Sequence, residues 1–183
     1  MPKLPPPLLI PDYRAFWVSR FLATIGGMML VIVIGWQVYD IARRTMNPRD
    51  AAFLLGMVGL VQFLPLFGLT LFVGVVADRV DRRYIARAAI ALEMGCAAAL
   101  AWLSFQDAVT IPALFIVAAL LGVGRAFAGP SLSALAPNLV PREILPAAIA
   151  LNSISWQSGA VLGPPLAPFS TPPTRPAPMS PPP

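Results

Sequence analysis

The chain has 183 residues, of which 57% are hydrophobic and 11% charged, with a mean hydropathy of +0.75 and a formal net charge of +5. Soluble domains are roughly a quarter charged, so a soluble fold of this size could not cover so much apolar surface. With no histidine and a single cysteine, neither a histidine-based metal site nor a disulfide framework can be written, which removes most enzyme chemistries.

Residues 1–13 carry one lysine and a Pro5-Pro6-Pro7 run, without a short apolar core and a small-residue cleavage site. They read as a retained cytoplasmic lead-in, not as a signal peptide. A spanning helix needs about 20 mostly apolar residues to cross a core of about 30 Å. Four stretches meet that need, running approximately from Phe16 to Ile41, Ala52 to Ala77, Ile85 to Phe105 and Ile111 to Leu135. Arg43, Arg44 and Asn47-Pro48-Arg49-Asp50 close the first, a charged cluster the second, and Gln106-Asp107 the third. A fifth apolar helix starts near Leu145 and reaches Gly163. The runs do not alternate with period two, so helices rather than barrel strands satisfy the backbone in lipid. Residues 14–163 are thus expected to form an all-α, polytopic transmembrane helical bundle of four complete spans and a partial fifth.

The loops set the orientation. Lys3, Arg14, Arg79, Arg82, Arg83, Arg87 and Arg142 fall on one side, against Arg43, Arg44 and Arg49 on the other. Lys and Arg accumulate on the cytoplasmic side, so the chain is expected to be a multi-pass protein of a cell inner (plasma) membrane with its amino terminus and the loop after the second helix in the cytoplasm. Because the basic residues sit between apolar stretches, the positive charge is read as orientation and not as a nucleic-acid surface. Residues 164–183 hold ten prolines in twenty residues, through which no helix is expected to persist. This Pro-rich tail begins in mid-helix and reads as a truncated or frameshifted end, with a polyproline linker as the other reading.

Between the second and third stretches the chain reads Gly74-Val75-Val76-Ala77-Asp78-Arg79-Val80-Asp81-Arg82-Arg83-Tyr84-Ile85. A glycine here admits a neighbouring helix, Asp78 can meet a helix amino terminus or a cation, and Arg79, Arg82 and Arg83 hold the loop in the cytoplasm. This segment resembles the signature loop of the major facilitator superfamily, G-x-L-A-D-R-x-G-R-R/K, with Asp81 where that pattern has glycine. The run Leu121-Gly122-Val123-Gly124-Arg125-Ala126-Phe127-Ala128-Gly129-Pro130 resembles the family's motif of an intramembrane arginine followed by small residues. Gly122, Gly124, Ala126, Ala128 and Gly129 are expected to permit close packing. Gly159-Ala160-Val161-Leu162-Gly163-Pro164 is similar to the opening of the antiporter motif G-x-x-x-G-P-x-x-G-G, whose closing pair is replaced by Ala167 and Pro168.

Together with Trp36-Gln37-Val38-Tyr39-Asp40, Gly59-Leu60-Val61-Gln62-Phe63-Leu64-Pro65 and Ala147-Ala148-Ile149-Ala150-Leu151-Asn152-Ser153, these segments resemble the enterobactin-exporter-like and drug-efflux-like branch, over roughly residues 12 to 164. The resemblance implies a truncated amino-terminal half of a carrier, with further carboxy-terminal helices as its partner. Such carriers have two helical halves around a site near the bilayer midplane. It also implies proton-coupled efflux of small molecules such as siderophores or drugs, with no cofactor and no covalent chemistry. An inactive remnant or a membrane interaction subunit is the competing function, and a membrane enzyme lacks a convergent cluster of chemical groups.

Ionisable groups inside a bilayer cost about 2.5–3.5 kcal/mol on insertion scales, which makes Arg20, Glu93 and Arg125 the coupling candidates. Counting along the helices puts Arg20 roughly 6 to 9 Å, Glu93 about 12 to 14 Å and Arg125 on the order of 10 Å from the cytoplasmic face. An ion pair of Glu93 with Arg125 or Arg20 is therefore expected, against the alternative that Glu93 snorkels on a peripheral helix. Asp40 is expected in a solvated ion pair with Arg43 or Arg44. Trp17, Trp36, Trp102 and Trp156 near helix ends read as interfacial anchors, with Trp36 alone as a cavity candidate. Pro65 and Pro130 lie inside spans, where they tend to bend a helix.

Overall fold

The computed structural model describes residues 5–167, without the side chains of Leu71, Ala77, Asp78, Ala134 and Ala136. A 3-10 turn at Pro6–Leu9 leads into α1 (Pro11–Arg43), followed by α2 (Pro48–Arg79), α3 (Arg82–Phe105), α4 (Ile111–Leu135) and α5 (Leu145–Leu166). Two further 3-10 turns, Ala136–Asn138 and Arg142–Ile144, join α4 to α5. Four helices, α1 to α4, are long and apolar enough to cross a membrane. The all-α reading holds.

Helices α1 and α2 start about a turn earlier than their apolar stretches. Each has proline in its first turn, where the missing N–H goes unused, followed by Asp12 or Asp50 against the positive end of the helix dipole. Apolarity marks the part of a helix that crosses lipid, whereas hydrogen bonding continues into the polar ends. Helix α3 starts at Arg82 because Asp81 caps it, its carboxylate accepting from the Arg83 amide at 2.9 Å. The aspartate that departs from the family pattern thus satisfies a free amide at a helix start, a contact worth about 1 kcal/mol.

One expectation is corrected at α5. The helix does not stop at Gly163 but runs through Pro164 and Pro165 to Leu166. Both prolines fall in its last turns, where a φ near −65° is already helical and few N–H bonds remain to be lost. Residues 168–183 of the Pro-rich tail lie outside the described residues.

Helix α3 ends with Gln106 as its cap and Asp107 at φ 52°. The Asp107 amide donates to Ser104 O and the Ala108 amide to Leu103 O, the paired bonds of a Schellman motif. Glycine occupies the left-handed position at lower cost than aspartate. Asp107→Gly is accordingly expected to stabilise the α3–α4 connection by about 0.5–1 kcal/mol, read as a higher midpoint for thermal exposure of the Cys96 thiol. An unchanged or lower midpoint would contradict it.

Helix α4 is the centre of the bundle. It packs most extensively on α2 and α3, and 44% of its span is buried against 6% of the α2 span. Ile34 and Val38 of α1, Val58 of α2, Cys96 and Leu100 of α3, and Leu114, Val117, Ala118 and Leu121 of α4 form the main core. At the end holding the amino terminus, Tyr13, Val140 and Ala148 form a second cluster with Ile10, Trp17 and Leu145. The outer faces remain apolar, with Phe53, Phe63, Phe67, Phe72, Met94, Trp102 and Ile116 all exposed. Such a surface fits lipid, not water.

Glycines decide how closely the helices approach. A β-carbon on Gly122 would sit 2.3 Å from the backbone oxygen of Gln62, so α4 lies directly on the α2 backbone there. On α5, β-carbons at Gly159 and Gly163 would meet Thr24 at 2.8 Å and Met28 at 2.5 Å, which makes this pair the α1-facing surface of α5. Two expected contacts are absent among the described residues. Gly74 and Gly129 have nothing within 4 Å of such a carbon, so neither mediates a helix contact among the described residues. Helices α2 and α4 run unbroken through Pro65 and Pro130.

Candidate functional site: a charged cavity between the helices

The three ionisable residues expected within the spans line one cavity of about 340 Å³. Helix α1 contributes Arg20, Thr24, Gly27 and Met28; α2 contributes Leu66; α3 contributes Ile90 and Glu93. Helix α4 adds Arg125, Ala128, Gly129 and Leu132, and α5 adds Trp156. Glu93 therefore faces the interior and does not snorkel outward.

Two of the three charges lie beside a glycine on the neighbouring helix. Arg125 Nη2 donates to the backbone oxygen of Gly27 at 2.8 Å. A β-carbon at Gly27 would lie 3.6 Å from that nitrogen, in ordinary van der Waals contact with it. Gly124 packs beside Glu93, whose Cγ lies 3.4 Å from where a β-carbon would stand. Glu93 and Arg125 attract one another across the cavity. Neither arginine comes within 4.0 Å of the carboxylate, so the expected direct ion pair is absent among the described residues. The hydrogen bond to Gly27 holds Arg125 toward α1. Arg20 Nη1 is buried without a hydrogen-bond partner.

The signature-loop residues lie elsewhere. Arg79, Arg82 and Arg83 are exposed at the end of the bundle that holds the amino terminus, and Arg79 also complements the negative end of the α2 dipole. The side chain of Asp78 lies outside the described residues. At the opposite end Asp40 pairs with Arg44 at 2.7 Å in an exposed contact, as expected. Gln37 Nε2 donates to Ser104 Oγ at 2.9 Å there, tying α1 to α3.

Two features escaped sequence reasoning. Trp156 reaches the cavity, whereas Trp36 is an exposed residue outside its lining. Trp17 is not simply an interfacial anchor, because its Nε1 donates to Leu151 O at 2.9 Å, one turn from Tyr13, whose hydroxyl donates to Ala148 O at 2.7 Å. The signal was periodicity: Tyr13, Trp17, Arg20, Thr24 and Met28 form one helical stripe on α1, while Trp156, Gly159 and Gly163 form the facing stripe on α5.

The profile of the transmembrane secretion effector family, a major facilitator group, matches residues 5–169. The chain belongs to this family. It is a multi-pass membrane protein of major facilitator type. It is 27% identical over 133 residues to macrolide efflux protein A of Streptococcus pyogenes, covering 73% of this chain and 31% of the relative. It is 36% identical over 118 residues to an uncharacterized MFS-type transporter of Mycobacterium tuberculosis, covering 63% of this chain and 26% of that protein. The staphyloferrin A transporter of Staphylococcus aureus is 26% identical over 155 residues, covering 84% and 37%. The chain thus spans between about a quarter and two fifths of the length of these relatives. No solved structure matches it significantly.

Proposed function

We propose that this chain serves as the amino-terminal helical part of a secondary efflux carrier that exports small amphipathic molecules by proton-coupled alternating access. The observation that carries this reading is the convergence of Arg20, Glu93 and Arg125, from three helices, on one internal cavity. Charges inside a membrane are costly, and a fold that gathers three of them around a space uses them. The names of two relatives, a macrolide efflux protein and a staphyloferrin A transporter, supply the substrate classes to test first, drugs and siderophores.

In this proposal Glu93 is the proton-responsive group. Arg125 and Arg20 face it across the cavity, and Cys96 lies a turn further along α3. When Glu93 is ionised, its attraction to Arg125 holds α3 and α4 together at this level. Adding a proton removes that attraction and shifts the balance between inward-open and outward-open states. The amino terminus and the Arg79 to Arg83 loop lie on the cytoplasmic side, as the distribution of arginines supports. Further helices complete the carrier, with residues 14–163 as part of its first half and residues 164–183 without a transport role.

The test is transport by the full-length carrier, in everted vesicles, across a range of pH. Glu93→Gln is expected to flatten the pH dependence, and retained transport with an unchanged pH profile would reject the role of Glu93. A second reading, a membrane interaction subunit without transport of its own, draws on the exposed apolar outer faces, with Phe63, Phe67 and Trp102 open to contact by other helices. Flux of labelled macrolide or siderophore through proteoliposomes holding the 183-residue chain alone separates the two.

A further inference from the structure

The charges around the cavity do not balance. Two arginines and one glutamate line it, and no other ionisable side chain does among the described residues. Glu93 has Arg125 as its electrostatic partner, and Arg125 is in addition hydrogen-bonded to Gly27 O. Arg20 is left over. Its buried Nη1 donates to no group among the described residues, and Thr24, one turn along, spends its hydroxyl on the Arg20 backbone oxygen rather than on any cavity group. A desolvated guanidinium offers a planar fork of N–H donors that matches a carboxylate.

Beside this unmatched cation the wall is apolar and aromatic, with Met28, Leu66, Leu132 and the ring of Trp156. The volume of about 340 Å³ falls at the lower end of small-molecule sites, about 300–1,000 Å³. We propose that the cavity binds an amphipathic organic anion, its carboxylate on Arg20 and its apolar body against Trp156. This deepens the efflux reading and rests on it: the exported solute is anionic, and the anion supplies the missing negative charge. A cation has no place here, since it would meet an uncompensated arginine.

The same chemistry is found in a soluble carboxylate and in an acidic phospholipid headgroup, and the experiment distinguishes them. The 183-residue chain is placed in phosphatidylcholine nanodiscs, and the temperature at which the single, buried cysteine, Cys96, reacts with a maleimide is measured with increasing naphthoate. The isosteric naphthamide and naphthylmethylammonium serve as neutral and cationic controls. Naphthoate alone is expected to raise the midpoint. Arg20→Gln is expected to weaken its apparent affinity about tenfold or more, the value of one charge-assisted contact, and Arg20→Lys, which keeps the charge but loses the planar fork, to fall between the two. Arg20→Gln must first show a cooperative Cys96 transition without ligand, and Trp156→Phe offers an independent variant that is expected to weaken naphthoate protection by removing apolar contact while leaving the charge on Arg20 in place.

Equal protection by naphthoate and naphthamide, better protection by the cation, or an unchanged affinity in Arg20→Gln overturns the proposal. Phosphatidylglycerol added to the discs is expected to leave naphthoate binding unaltered; competition between them would overturn a solute site in favour of a lipid headgroup. If naphthoate binds through Arg20 while no flux is found in the full-length carrier, the efflux reading fails and the anion site stands.

Discussion

Gly122→Ala is expected to destabilise the helical bundle by about 2–3 kcal/mol, despite the roughly 1 kcal/mol by which alanine favours a helix over glycine. The added methyl would lie 2.3 Å from Gln62 O and 3.1 Å from its carbonyl carbon, and backbone cannot rotate away as a side-chain end can. Helices α2 and α4 must then separate, loosening the interface of the most buried helix in the structure. Gly163→Ala is expected to act in the same direction on the α1–α5 contact, because the β-carbon of Met28 would be 2.5 Å away. Gly74→Ala supplies the contrast: with nothing within 4 Å, only the helix-propensity gain remains, and its expected effect is neutral to stabilising. Thermal exposure of Cys96, 4% exposed and packed in the main core, reads all three. Equal midpoints for Gly122→Ala and Gly74→Ala would refute the assignment of Gly122 as the α2–α4 contact point.

Arg125→Met is expected to cost roughly 2–3 kcal/mol, below the 3–5 of a fully buried contact pair because the two charges face each other across a cavity. The substitution keeps a long side chain but removes the donor to Gly27 O and the partner of Glu93. What remains is a carboxylate that has lost its electrostatic partner on α4 and has only Arg20 in the same cavity, and that weakened compensation accounts for most of the loss. Adding Glu93→Leu to Arg125→Met is therefore expected to restore stability. A double variant as unstable as Arg125→Met alone would show that Glu93 and Arg125 are not coupled. The double-mutant cycle separates this coupling from the packing role of either side chain.

Much of the architecture was legible because lipid imposes a simple rule. Long apolar runs have only a few ways to satisfy their backbone, so α3 and α4 were located nearly to their ends by apolarity alone. The starts of α1 and α2 were less legible, since Pro11 and Pro48 begin helices in polar segments that hydropathy ignores. The end of α5 was missed because prolines were read only as breakers, although Pro164 and Pro165 fit the final turns. The charged trio was legible one residue at a time, each conspicuous by the cost of being there. Which partner each would take was not, because Arg125 chose a backbone oxygen that no residue identity announces.

Composition and order along the chain therefore determined the solvent, the helix count among the apolar stretches and the short list of charges at comparable depth, since these depend on transfer free energies that are nearly additive by residue. Tertiary structure alone decided which glycines are contacts and which are bare. It also turned Trp156 toward the charges and left Arg20 without a mate. These outcomes depend on the rotation of each helix about its axis and on distances of a few ångströms between helices, which packing of the whole bundle sets at once.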